Sequence, residues 1–466
     1  MRGSRMAVAL ALCWWQAAAG SVRGEDLHEA WAIALGGNQG LQARQEQTAA
    51  AGFSAAAARS DRLPSVRSLS FNAFLTATPT YRPFQSSGGQ GGSGSSSLAG
   101  LPTSFPILGN GQRNLPFSLT YANIPLYTGG RLKNAVAAAD ARTRVERAQE
   151  YATALDLKMG VARTYIGVLR ARRSLEVAES NVDRLQAFAR DVRNRRREGM
   201  AVRSDVLAAE VSLANAQLGR IQGRTSLDAA WSAYNRLLCR PLSFTTDLVE
   251  LGNLPQDVNR DELAAYAEDV VSHPPIVDES EVADLTARAF EMRPELAGLT
   301  DLARGFRAQA AAARGATKPQ VGFAMAFLYL GNNSQAPQGI GAATFYFDWL
   351  MTDSGGTRRR TEALRRQEVA ALKRKADEAA DVALEVRTRW LDRNQARLRI
   401  PVSRLAIAQA EENLNVLIER YRQEESTYTE VLDAENRRVA SLNNYYNAVY
   451  DETQADFALR RAVGTL

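Results

Sequence analysis

Histidine and cysteine are nearly missing from this chain, two of each in 466 residues. No His/Cys cluster has ligand spacing, which argues against zinc, haem and iron–sulfur centres. The sequence also lacks a Gly-Lys-Ser/Thr phosphate loop and a Gly-x-Ser-x-Gly elbow. His28 and His273 stand far apart, with no nucleophile or carboxylate partner at motif spacing. The expectation is therefore no enzyme: no catalytic residue, no cofactor and no metal. Charge of one sign is scarce too. The net charge is +6, and Arg residues alternate with Glu and Asp along the chain. No basic patch carries interleaved aromatics, so solvated helix faces are expected and nucleic acid is not. Beyond the N-terminus no segment has the ~20 apolar residues of a membrane helix.

The segment Met1 to Gly20 reads as a secretory signal. Arg2 and Arg5 precede a short apolar core, Met6 to Trp15, and Gln16 to Gly20 offers small residues for cleavage. Cys13 follows Leu12, where lipid attachment wants a small residue. Cys239 is then alone in the mature chain, which excludes an intrachain disulfide. It reads as a small apolar residue near a helix end.

An internal repeat organises the rest. Val206 to Glu210 matches Val431 to Glu435 at an offset of 225, and Gly129-Gly130 matches Gly355-Gly356 at 226. Upstream, Ala57-Ala58-Arg59 and Pro64 match Ala312-Ala313-Arg314 and Pro319 at 255. The first copy therefore spans 27–238 and the second 282–466, with a connector over 239–281. The change of offset requires extra residues in the first copy, which include the Gly/Ser-rich run 86–100, a flexible loop by composition.

Each copy reads helix, strand, loop, strand, long helix, turn, helix. The first helix is expected from about Leu27 to Asp61. Ser68 to Thr76, Phe117 to Ala122, Val321 to Tyr329 and Thr344 to Trp349 alternate with period two, each with a large apolar face and a small or polar one, a pattern that Phe74 breaks in the first. At roughly 9–11 residues such strands suit a membrane barrel, and equally a soluble sheet packed on helices. No proline interrupts Arg131 to Glu198. There Leu175, Ala178, Val182, Leu185, Ala189 and Val192 form a heptad seam, which Ile400 to Leu417 repeats in the second copy. A helix of this length reaches ~100 Å. Pro401 inside the second seam should kink it. A shorter helix, Asp205 to Leu238, carries a stripe of Leu207, Val211, Ala214, Leu218 and Ile221.

Four strands cannot close a membrane barrel. Open edges in lipid would leave backbone groups unpaired at several kcal/mol each. A membrane location thus requires several chains: two would give eight strands and three would give twelve.

Several local patterns resemble the TolC-like outer membrane efflux proteins. They are Leu27-His28-Glu29-Ala30-Trp31 at the start, Ala55 to Pro64, Pro125 to Arg131, Arg197-Glu198-Gly199 with Ser204-Asp205-Val206-Leu207, and Glu430 to Glu435. Their order and repetition cover nearly the whole mature chain. The resemblance implies a mostly α protomer with a membrane β part. In a homotrimer its four strands complete a twelve-stranded barrel in the outer membrane, and its helices form a long barrel in the periplasm, with the connector in an equatorial belt. It implies a passive exit duct of a tripartite efflux or type I secretion system. Its partners are then two further copies of itself, a periplasmic adaptor, an inner-membrane transporter and outer membrane lipid. It implies an adaptor contact at the tip, formed by Gly199, Met200, Ala201 and Val202 of one turn and Glu425, Ser426 and Thr427 of the other. It also implies a periplasmic gate of Glu430, Asp433 and Asp205. Where Gly199 stands in the first turn, the second has Glu424, a departure from the family pattern. A periplasmic coiled-coil adaptor or scaffold explains the heptads but not the alternating strands. A secreted helical enzyme lacks any chemical constellation.

Overall fold

A computed structural model describes residues 24–74, 114–251, 278–330, 339–423 and 425–466. The signal-like segment, the Gly/Ser-rich run, His273 and Glu424 lie outside the described residues. The elements are α1 (Leu27–Gly37), α2 (Gln39–Ser60), β1 (Ser65–Phe74), β2 (Asn114–Tyr127), α3 (Arg131–Arg197) and α4 (Arg203–Leu237). They are followed by α5 (Glu279–Met292), α6 (Pro294–Gly315), β3 (Gln320–Leu330), β4 (Gly339–Asp348), α7 (Gly356–Arg422) and α8 (Tyr428–Val463). The mostly helical fold with four strands is the one expected. The single first helix is not: it breaks at Asn38, whose side chain accepts from Leu41 N at 3.2 Å and donates to Leu237 O at 3.3 Å. The second copy breaks at Arg293, just before Pro294, which starts α6 with a fixed φ and no N–H to satisfy.

The chain divides into two compact units. One comprises Glu46–Ala148 and Ala297–Ala376. Its sheet is antiparallel in the order β1-β2-β3-β4, so β2 and β3 join the two copies. Among the described residues β1 pairs only with β2, and β4 only with β3. Directly paired residues share a face. Leu69 thus shares one with Leu119 and Leu328, while Phe327 shares the other with Thr120 and Gly341. The large apolar side chains of the two copies therefore lie on opposite faces. The period was readable in each strand, but the combined face depends on register across copies. Ser70 and Ser118 hydroxyls meet at 3.0 Å, and Thr120 donates to Ser68 at 3.1 Å, on the face that carries Phe327. The strand-to-helix junction turns at Gly129, φ 60, where an added Cβ would fall 2.6 Å from Gly315 O. Only glycine tolerates both that φ and that approach. Ion pairs Arg59–Asp140, Arg144–Asp301 and Arg307–Glu368 tie α2 to α3, α3 to α6 and α6 to α7.

The other unit comprises Met1–Gln45, Gln149–Leu296 and Asp377–Leu466. Asp26 starts α1 with a capping box, its carboxylate accepting from Glu29 N at 2.7 Å. Leu27, Ala30 and Ala34 then pack with Val161, Tyr165 and Tyr234. Glu25 is buried beneath them, taking Tyr234 Oη–H and the Arg240 guanidinium, each at 2.7 Å. A second core joins α5, α7 and α8 through Val282, Val386, Trp390 and Leu459. Beside it the Arg293 guanidinium is buried, donating to Ala462 O at 2.9 Å and pairing with Glu295 and Glu385.

The α3 seam is buried at Leu175, Val182, Leu185, Ala189 and Val192. Its second copy is only half-buried until Leu414 and Tyr421, and α7 continues as helix through Pro401. The α4 stripe behaves differently. Leu207, Val211, Leu218 and Ile221 are exposed, and Ala209 and Ala216 face the core instead. Cys239 lies beside a helix end, in the turn after α4, exposed and at φ 57, and the preceding Leu238 is buried.

Candidate functional site

Both predicted turns have the same backbone closure. α3 ends with Met200 N donating to Arg195 O at 2.8 Å, and α7 ends with Glu425 N donating to Arg420 O at 2.8 Å, the equivalent pair of the second copy. Gly199 provides the left-handed step in the first, φ 84, with nothing within 4 Å of an added Cβ. Met200 and Val202 are 52% and 58% exposed. Ala201 is buried and packs inward, so it supplies core rather than contact face. In the second turn Glu425 is exposed, and Ser426 Oγ donates to Leu417 O at 3.2 Å. Thr427 caps α8 in a box with Glu430.

The two turns share one core. Ala189, Val192, Ala201 and Ala209 of the first copy pack with Leu414, Tyr421, Tyr428 and Val431 of the second. At its centre Phe188 stacks on Tyr428 at 5.1 Å, and Arg195 lies over Tyr421 at 5.0 Å. Burial pushes the Tyr428 phenol up, with Tyr421 and the charge of Asp205 adding to it. Asp205, in the first turn of α4, therefore lies close enough to reach the second copy electrostatically. Glu430 and Asp433 are exposed, outside the buried stripe of Val431, Ala434 and Arg438 on α8. No ion pair engages Glu430, Asp433 or Asp205 among the described residues. Part of the Glu430 role is local, since its carboxylate reaches back to Thr427 N at 3.4 Å.

Sequence reasoning missed Phe188, Tyr428 and the buried ion pair Glu435–Arg438, 2.7 Å apart. The repeat held a signal for the last. Arg438 occupies the position of Leu213 in the first copy, so a charge stands where the copies otherwise share an apolar residue. Among the described residues no group of three or more His, Cys, Asp or Glu could hold a metal, and no helix is long and apolar enough to cross a membrane. His28 packs edge-on against Trp31 at 5.2 Å.

Residues 32–239 match the family model described as Outer membrane efflux protein. The outer membrane efflux protein BepC of Brucella suis biovar 1 (strain 1330) is 25% identical over 356 residues, 74% of this chain and 71% of BepC. By these matches the chain is similar to the outer membrane efflux proteins, the family model covering residues 32–239. Solved structures share the fold of this chain at low identity. VceC, an outer membrane protein of Vibrio cholerae, superposes with a TM-score of 0.73 at 15% identity, covering 94% of this chain and 96% of VceC. The CmeC outer membrane channel of Campylobacter jejuni gives 0.74 at 13% identity, with 95% and 86% covered. The matched family and BepC are outer membrane proteins by name.

Proposed function

We propose that this chain is the exit duct of a tripartite efflux or type I secretion assembly, a passive conduit served by an inner-membrane transporter and a periplasmic adaptor. The observation that carries it is the four-stranded sheet whose outer strands, β1 and β4, each leave one edge unpaired among the described residues, in a chain whose residues 32–239 match the outer membrane efflux protein model. In lipid such edges are closed only by further copies, and three copies supply twelve strands. The exposed stripe Leu207, Val211, Leu218 and Ile221 supports the same reading, since it offers a helix-to-helix seam that the chain's own core leaves open. An adaptor or scaffold without a barrel has no use for four paired strands of 10–14 residues.

On this reading Gly199, Met200, Val202, Glu425, Ser426 and Thr427 form the adaptor contact. Glu430, Asp433 and Asp205 narrow the periplasmic entrance with negative charge. Like charges gathered there attract cations and repel anions. The duct reading is tested by crosslinking membrane-extracted protein and by inserting it in planar bilayers. Trimers with stable conductance are expected. Monomers alone, or no pore from folded protein, would reject it.

A further inference from the structure

Below β4 the chain leaves the sheet through Trp349, Leu350 and Met351, all exposed. The Trp349 indole N–H donates to Thr317 O at 3.2 Å, and Tyr127 at the end of β2 is exposed as well. Exposed Trp and Tyr at the end of membrane strands mark headgroup level. An arginine-rich stretch follows at once: Arg358, Arg359, Arg360, Arg365 and Arg366 open α7, with Glu362 as the one acid between Gly356 and Arg366.

Between the last turn of α6 and the first turns of α7 lies a cleft of about 520 Å³, lined by Arg314, Arg358, Thr361 and Arg365 among others. Thr361 is 6% exposed, and its hydroxyl has no hydrogen-bond partner. A helical threonine ordinarily bonds the carbonyl four residues back. Leaving a buried hydroxyl unmet is unfavourable. Arg314 and Arg358 make no ion pair among the described residues. The two acids lining the cleft are already engaged. The Asp353 carboxylate takes Gly355 N at 3.1 Å and Thr357 N at the start of α7. Glu362 is held by Arg366 at 3.1 Å. The unused capacity of the cleft therefore includes two unpaired guanidiniums and one buried hydroxyl, all three able to donate. That set matches a phosphate oxyanion.

We propose that this cleft binds the phosphate of an anionic phospholipid headgroup. The phosphate chemistry stands on the cleft alone, and the lipid source rests on the outer membrane reading. Trp349, Leu350 and Met351 provide the apolar surface that acyl chains need and free phosphate does not.

The test uses full-length protein purified in detergent with phosphatidylglycerol, retained lipid being counted by native mass spectrometry. Inorganic phosphate serves as competitor. Wild type should keep the lipid through detergent washing. Arg314→Gln combined with Arg358→Gln should reduce retention about tenfold or more. Thr361→Val, which keeps shape and removes only the hydroxyl, should also reduce it. Arg374→Gln, further along α7, should not. Equal retention by wild type and the double variant overturns the proposal. Displacement by inorganic phosphate at the lipid's own concentration overturns the lipid assignment. Bilayer conductance of the same preparations keeps the two readings apart. Lipid loss in variants that still conduct supports the headgroup site, whereas a wild type without conductance rejects the duct reading instead.

Discussion

Glu430 has two tasks within one residue's reach. Its carboxylate closes the capping box with Thr427, and its exposed position three residues before Asp433 presents a paired negative charge. The two roles separate by substitution. Glu430→Gln with Asp433→Asn keeps the shape and the box, because glutamine also serves at that capping position. In planar bilayers this variant should show weaker cation selectivity and weaker block by divalent cations from the periplasmic side. Unchanged selectivity and block would place both residues away from the pore. Glu295 gives a pH-dependent counterpart inside the fold. Burial alone would raise its pKa, but the hydrogen bond and charge of Arg461, with Arg293 nearby, hold the carboxyl below its ordinary value of 4.5. A depressed acid stabilises the fold fully above its ordinary value, and that stabilisation is lost as pH falls through the lower folded value. Thermal melts of wild type and Glu295→Gln should differ at neutral pH and converge at acid pH. A gap that widens on acidification would contradict this assignment.

Turns and helices set how the site is held. Gly199 is at φ 84, which proline cannot adopt. Gly199→Pro should abolish export in cells while trimers still form, since no side chain packs on that position. Normal export by this variant would remove the turn from the adaptor contact. Much of this scale was legible beforehand. The constant offset between the copies located both turns, and the seam from Leu175 to Val192 is the buried one. What was not legible came from contacts between distant segments. The break at Asn38 depends on a carbonyl far along the chain, at Leu237. The opposition of sheet faces depends on which residue of β3 meets Thr120, and local period carries no register between copies. In the α4 stripe, spacing identified an apolar face correctly but not its partner. That face turns away from the chain's own core and remains open.

At the scale of the whole molecule that open face and the open sheet edges call for the same answer. Leu218→Asp places a charge on the exposed stripe without touching the intrachain core, so monomer helicity should persist while the crosslinked trimer yield falls severalfold. A trimer yield equal to wild type would show the stripe is not a seam between copies. The pairing of β2 with β3 has a further consequence, for the order of folding. Between Thr120 and its partner Phe327 the chain passes through all of α3, α4, α5 and α6. β2 therefore leaves the ribosome long before the strand that covers it, and joining distant segments is intrinsically slow. Helices α3 and α4 meet early through Val182, Leu185 and Ala216, while Ala189 and Val192 wait for α7 and α8. The sheet is then completed only once β3 and β4 have emerged, ahead of the cores that wait for α7 and α8. Unpaired strand edges template aggregation, and on the duct reading they stay exposed until further copies pair with them.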